Sequence, residues 1–166
     1  MCGIYGRVYL NNDDVINLGS KVDDLFNRGP NEQVILEKPN FDLVFTRLSI
    51  NGVLNGSQPF KSTCSDLICA VNGEIYNSDL LKEDLVSKGH KFLTDSDCEV
   101  IIHGFEEYGS DFFSKLNGMF AISIWDPVEQ CLILARDRFG KKPLFYRKNL
   151  IDFEFGSELN TLSKSF

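Results

Sequence analysis

The sequence predicts an α+β fold, on three observations. Strand-like runs rich in β-branched and aromatic residues occupy both ends of the chain, while segments with helical spacing gather in its middle. Hydrophobic residues make up 43% of 166, with 14 Phe, enough for a sizeable core in one domain spanning residues 1–166. No apolar run approaches the ~18 residues of a membrane helix, so sheets and amphipathic helices share that core.

Gly3–Leu10 reads as a strand. Val15, Leu18, Val22 and Leu25 recur at helical spacing and predict a short helix ending near Asn27, ahead of Gly29-Pro30. Val34–Leu36, Asp42–Leu48 and Leu67–Val71 are β-like. Asn72-Gly73 is a turn dipeptide leading into Glu74-Ile75-Tyr76-Asn77. Leu80, Leu81, Leu85 and Val86 form an apolar stripe on a helix that Gly89 stops. Ser96 and Glu99 have capping-box spacing ahead of a helix carrying Val100, Ile101, Phe105 and Tyr108. A shorter helix covers Asp111–Leu116. Phe120–Trp125 and Cys131–Ala135 flank a hairpin loop at Asp126-Pro127-Val128-Glu129, and Pro143–Arg147 with Asp152–Gly156 make another strand pair. Helices grouped between strands imply helical layers on the faces of largely antiparallel sheets. Periodicity does not give the strand order.

Composition removes several functions. A net charge of −7 argues against a nucleic-acid surface. The basic cluster Arg136-Asp137-Arg138-Phe139-Gly140-Lys141-Lys142 is short, carries an acid, and reads as a solvated loop or a domain-contact surface. Cys2, Cys64, Cys69, Cys98 and Cys131 are odd in number, scattered and without a CxxC pair. That pattern argues against a disulfide framework and a zinc site, and it suits a reducing cytoplasm. The N-terminus turns polar too early for a secretory signal.

The start, Met1-Cys2-Gly3, carries the chemistry. Removal of the initiator methionine leaves Cys2 with a thiol and a free α-amine, a nucleophile and a base on one residue. Both groups titrate near neutral pH. The plainer reading makes Cys2 a buried residue of the first strand, and the rest of the chain weighs against it.

Met1-Cys2-Gly3-Ile4, Arg28-Gly29-Pro30, Arg47-Leu48-Ser49-Ile50, Gln58-Pro59 and Asn72-Gly73-Glu74-Ile75-Tyr76-Asn77 follow one another in order. Ser96-Asp97-Cys98-Glu99, Leu116-Asn117-Gly118-Met119-Phe120-Ala121, Ala135–Leu144 and Gly156-Ser157-Glu158 complete the series. Together they resemble the N-terminal-nucleophile class of glutamine amidotransferases, nearest to the glutaminase domain of glutamine-dependent asparagine synthetases. The resemblance implies a four-layer αββα sandwich of two mainly antiparallel sheets.

It also implies roles. Cys2 attacks the side-chain amide carbon of L-glutamine, and Asn72 with the Gly73 N–H holds the oxyanion. Arg47 takes the substrate α-carboxylate and Asp97 its α-ammonium. Backbone from Leu48, Ser49, Ile50 and Asn51, with Glu74, completes the pocket. Phe45 stands where the family usually has histidine, Asn31 where it has aspartate, and Asn27 where histidine often precedes the arginine. These departures bear on the hydrogen bonding around the Leu48–Asn51 loop. No cofactor or metal is expected here. ATP and Mg belong to a partner synthetase subunit or domain, since the sequence has no Ser-Gly-Gly-type pyrophosphate loop. The rival expectation is a catalytically silent glutamine-binding or structural module.

Overall fold

Alternating side chains in the central strands are buried on both faces, so each sheet needs a partner layer on either side. The computed structural model describes residues 1–9, 16–62 and 64–162. Along the chain come β1 (Gly3–Tyr9), α1 (Leu18–Leu25), β2 (Glu32–Lys38), β3 (Phe41–Arg47), β4 (Phe60–Lys61) and β5 (Ile68–Ile75). Then follow α2 (Ser78–Ser87), α3 (Val100–Tyr108), β6 (Gly118–Asp126), β7 (Cys131–Arg136), β8 (Phe145–Lys148) and β9 (Asp152–Gly156). They form a five-stranded sheet, β2-β3-β1-β9-β8, and a four-stranded sheet, β4-β5-β6-β7. Every strand pair is antiparallel.

The two sheets meet face to face. Ile4, Phe41, Leu43, Phe45 and Phe155 of the first pack on Ile68, Ala70 and Trp125 of the second. The Phe41 and Trp125 rings stack at 4.8 Å, 8° from parallel. The opposite faces take helices. Tyr5 and Val44 receive Leu18 and Leu25 of α1, while Cys69, Val71, Ile122 and Ile124 receive Leu85, Val100, Ile101 and Phe112. Helix, sheet, sheet, helix is the four-layer αββα order that the resemblance implied.

Several local expectations change. Asn72-Gly73 is no turn: both residues lie inside β5, paired with Ala121 and Phe120 of β6. The positive φ that a two-residue turn requires occurs elsewhere, at Asn40 between β2 and β3 among other positions. Eight consecutive pairs with β6 outweigh the local turn preference. The Ser96 hydroxyl caps the following turn through the Cys98 N–H, 3.3 Å away. Glu99, however, does not close a capping box, because Thr94 Oγ1 takes the Ser96 N–H at 3.1 Å. The Glu99 carboxylate accepts instead from Leu93 and Thr94 N–H, at 2.8 and 2.7 Å. Residues Gly109–Lys115 form 3-10 rather than α-helical turns. On α2 only Leu85 of the stripe is fully buried, while Leu80 and Val86 face solvent. Leu10 and Val15 lie outside the described residues.

Candidate active site

Cys2 sits just ahead of β1, and Arg28 fixes it there. Arg28 Nε donates to the Cys2 carbonyl at 3.0 Å, and Nη1 pairs with Glu158 at 2.5 Å. Gly29 lets that segment press on β3: a Cβ there would stand 2.4 Å from the Thr46 carbonyl oxygen. The Asn31 N–H then donates to the Arg47 carbonyl at 3.0 Å. The Cys2 thiol points toward the Leu48 carbonyl, 3.9 Å away.

A cavity of about 250 Å³ opens at the thiol. Arg47, Leu48, Ile50 and Asn51 form one wall, and Val71, Asn72, Gly73 and Glu74 of β5 form another. Ser96, Asp97 and Cys98 close a third side, with Gly56, Gln58, Met119, Lys142 and Met1 around them. The volume suits a small molecule rather than a polymer.

One polar atom in this lining is conspicuous. Asn72 is 1% exposed, and its Nδ2 has no hydrogen-bond partner among the described residues. An unpaired buried donor is costly, so an amide left open in a cavity wall is available to a ligand. Gly73 beside it is fixed by packing, since a Cβ would come 2.4 Å from the Met119 carbonyl oxygen across the ladder.

Two opposite charges bracket the far end. Arg47 is buried; its Nη2 donates to the Asn51 and Gly52 carbonyls at 3.1 and 2.6 Å, and Nη1 lies 3.5 Å from Glu32. Asp97 accepts from the Ile75 N–H at 2.7 Å and from Asn51 Nδ2 at 3.3 Å. Both therefore hold the Asn51 loop while presenting a cation and an anion to one cavity. The terminal amine, here on Met1, has its pKa lowered by burial, against the opposing pull of Cys2 and with help from Arg28 and Lys142. Burial raises the Cys69 and Cys98 thiols, and the Asp97 charge pushes Cys98 further the same way.

A family model described as a glutamine amidotransferase domain matches residues 1–166. The chain belongs to this family. It is 40% identical over 167 residues to asparagine synthetase [glutamine-hydrolyzing] 2 of Bacillus subtilis, covering 98% of this chain and 22% of that protein. It is 35% identical to asparagine synthetase [glutamine-hydrolyzing] 3 of the same organism, covering 98% and 27%. The chain thus spans about a quarter of the length of these relatives. The solved glutamine phosphoribosylpyrophosphate amidotransferase from B. subtilis superposes with a TM-score of 0.61 at 22% identity, over 95% of this chain and 36% of that one. That likeness places the chain in the same αββα architecture.

Within this amidotransferase domain, nine of the ten predicted site residues line the one cavity: Cys2, Arg47, Leu48, Ile50, Asn51, Asn72, Gly73, Glu74 and Asp97. Ser49 does not; its N–H donates to Asn31 Oδ1 at 3.0 Å. That bond settles one departure, since an asparagine oxygen anchors the loop. Phe45, a second departure, is fully buried between the sheets, where its strand position faces the apolar layer, and Asn27, the third, is exposed. Sequence reasoning missed Gln58, Met119 and Lys142 in the lining. Gln58-Pro59 was a visible motif, and Gln58 Oε1 accepts from the Val71 N–H at 2.7 Å. Lys142 was hidden in the basic cluster. That loop wraps Asp137, whose carboxylate accepts from the N–H groups of Phe139, Lys141, Lys142 and Phe120. The wrap turns Lys142 inward while Arg138 and Lys141 remain outside.

Proposed function

We propose that this domain hydrolyses L-glutamine to glutamate and ammonia through a γ-glutamyl thioester on Cys2. The unpartnered Asn72 Nδ2, in the same cavity as the thiol, carries the reading. Removal of Met1 frees the Cys2 α-amine, which accepts the thiol proton as sulfur attacks the side-chain amide carbon. The carbonyl electrons move to oxygen, where Asn72 Nδ2 and the Gly73 N–H receive the charge. As the tetrahedral adduct collapses, the C–N bond breaks and the ammonium proton passes to the leaving nitrogen. Water then cleaves the thioester, returning the thiol and releasing glutamate. Arg47 and Asp97 hold the α-carboxylate and α-ammonium, which confines the site to α-amino acids.

The ammonia goes to an ATP-dependent, asparagine-synthetase-like subunit or domain, where ATP and Mg act; the amidotransferase domain itself uses no cofactor. The names of the relatives and the quarter of their length that the chain spans support this assignment. The reducing cytoplasm suits a catalytic thiol. Assay of the Met1-cleaved protein should show glutamate formation that disappears in Cys2→Ala. Equal turnover in the two proteins would remove the proposal. Activity should rise when the synthetase partner and its activated acceptor are added.

A further inference from the structure

The only two histidines of the sequence come together beside α2 and α3, and neither lines the cavity at Cys2. His90 follows α2, and His103 lies on α3. Their ring centroids are 5.3 Å apart. Both Nδ1 atoms face a single carboxylate oxygen, Glu106 Oε2, at 3.7 Å from His90 and 3.3 Å from His103. One ligand atom from each of the three residues lies within 4.8 Å of the others. Ligands on a tetrahedral zinc, with bonds of about 2.0–2.1 Å, stand roughly 3.3 Å apart, so small side-chain rotations close this set.

The surroundings supply what a metal site needs beyond its ligands. Each imidazole has its other nitrogen against a separate carboxylate: His90 Nε2 lies 3.3 Å from Glu107, and His103 Nε2 lies 3.5 Å from Glu99. Carboxylates in that position orient metal-bound histidines and fix their tautomer. The second oxygen of Glu106 is occupied by the Ser65 hydroxyl at 2.8 Å and by that of Ser62, which leaves Oε2 for an ion. Three carboxylates around two imidazoles leave an excess of negative charge in a half-buried place. A cavity of about 410 Å³ bordered by His90 and Glu106 gives an ion a way in and room for a water ligand.

We propose that His90, His103 and Glu106 bind one divalent transition-metal ion, zinc in the first instance. Two imidazoles and one carboxylate suit zinc better than magnesium or calcium, which take oxygen ligands. The ion joins the end of α2, the middle of α3 and, through Ser62 and Ser65, the connection between β4 and β5. It acts as a structural clip. The cysteine pattern gave no hint of it, because the donors are histidines brought together from different elements.

The test is titration of the metal-stripped full chain with zinc, and with cobalt(II) for its absorption spectrum. It is run in wild type and in Cys2→Ala, so that the N-terminal thiol contributes no second site. One equivalent should bind in both proteins and raise the melting temperature. His90→Gln and His103→Gln should each abolish binding, with circular dichroism confirming the fold. Glu107→Gln, at the more exposed partner, should weaken it roughly 10–100-fold. Failure to saturate at one equivalent would overturn the site, as would undiminished binding in both histidine variants. Binding lost in Cys64→Ser but kept in the histidine variants would overturn it equally. None of these readouts depends on glutamine turnover.

Discussion

Asn72 shows what a single residue adds when its partner is missing. Its amide nitrogen is buried and unpaired, while the Asp97 and Arg47 side chains are partly committed to the Asn51 loop. Asn72→Ala should therefore lower kcat by roughly 10²–10³ with little change in KM, as loss of one oxyanion donor does. Steady-state kinetics separate the two parameters. Arg47→Lys should act differently, raising KM and also lowering the melting temperature, because a lysine has one nitrogen where Arg47 uses Nη2 on the Asn51 and Gly52 carbonyls and Nη1 toward Glu32. A glutamine-like diazo ketone should add one mass, to Cys2. Cys69 and Cys98 are buried thiols with raised pKa, and Cys64 and Cys131, though exposed, lie outside the cavity lining. Peptide mapping that found the adduct elsewhere would reassign the nucleophile. The identities of Cys2, Arg47, Asn72 and Asp97 were legible in sequence because motif order names them. Lys142 and the open amide of Asn72 were not, since burial and missing partners arise only when distant segments meet.

At the scale of elements, local signals read well where neighbours agreed with them. The β6–β7 hairpin fell where expected, with Asp126 Oδ1 accepting from the Val128 and Glu129 N–H groups at 2.9 and 3.0 Å. Asn72-Gly73 misled because pairing with β6 continues through it. Ser96 and Glu99 misled because Glu99 was drawn to an upstream loop. The α3 helix offers a test of packing. Phe112 is fully buried, and its ring lies against Gly104 so closely that a Cβ would come 2.1 Å from it. Gly104→Ala gains helix propensity but should lose about 1–3 kcal/mol from the overpacked contact. Urea unfolding would measure the balance, and a more stable variant would show that the ring can move aside.

The whole molecule carries a buried charge problem that makes stability depend on pH. Asp42 on β3 is buried opposite Arg7 of β1 and accepts from the Tyr9 hydroxyl. Burial pushes its pKa from 3.8 up to about 6, and Arg7 only partly offsets this. The native carboxyl thus keeps its proton at pH values where the unfolded one has lost it. Its contribution is complete below the unfolded pKa and is lost as pH rises through about 6. The stability difference between Asp42→Asn and wild type should therefore shift in the variant's favour between pH 4 and 6. Paired denaturation curves across that range check the sign; a flat difference would mean the group is not desolvated.

Cys2 precedes β1 of one sheet, and Asn72 belongs to β5 of the other. No covalent path shorter than most of the first half of the chain connects them. Their spacing is gauged by the apolar layer between the sheets, which the stacked Phe41 and Trp125 rings prop at the end remote from Cys2. That layer is a measuring device as well as a source of stability. Thinning it lets the sheets settle, and a misplacement of about 1 Å can cost a reaction ~10²-fold. Phe41→Leu lies outside the cavity lining, yet it should lower turnover as well as the melting temperature.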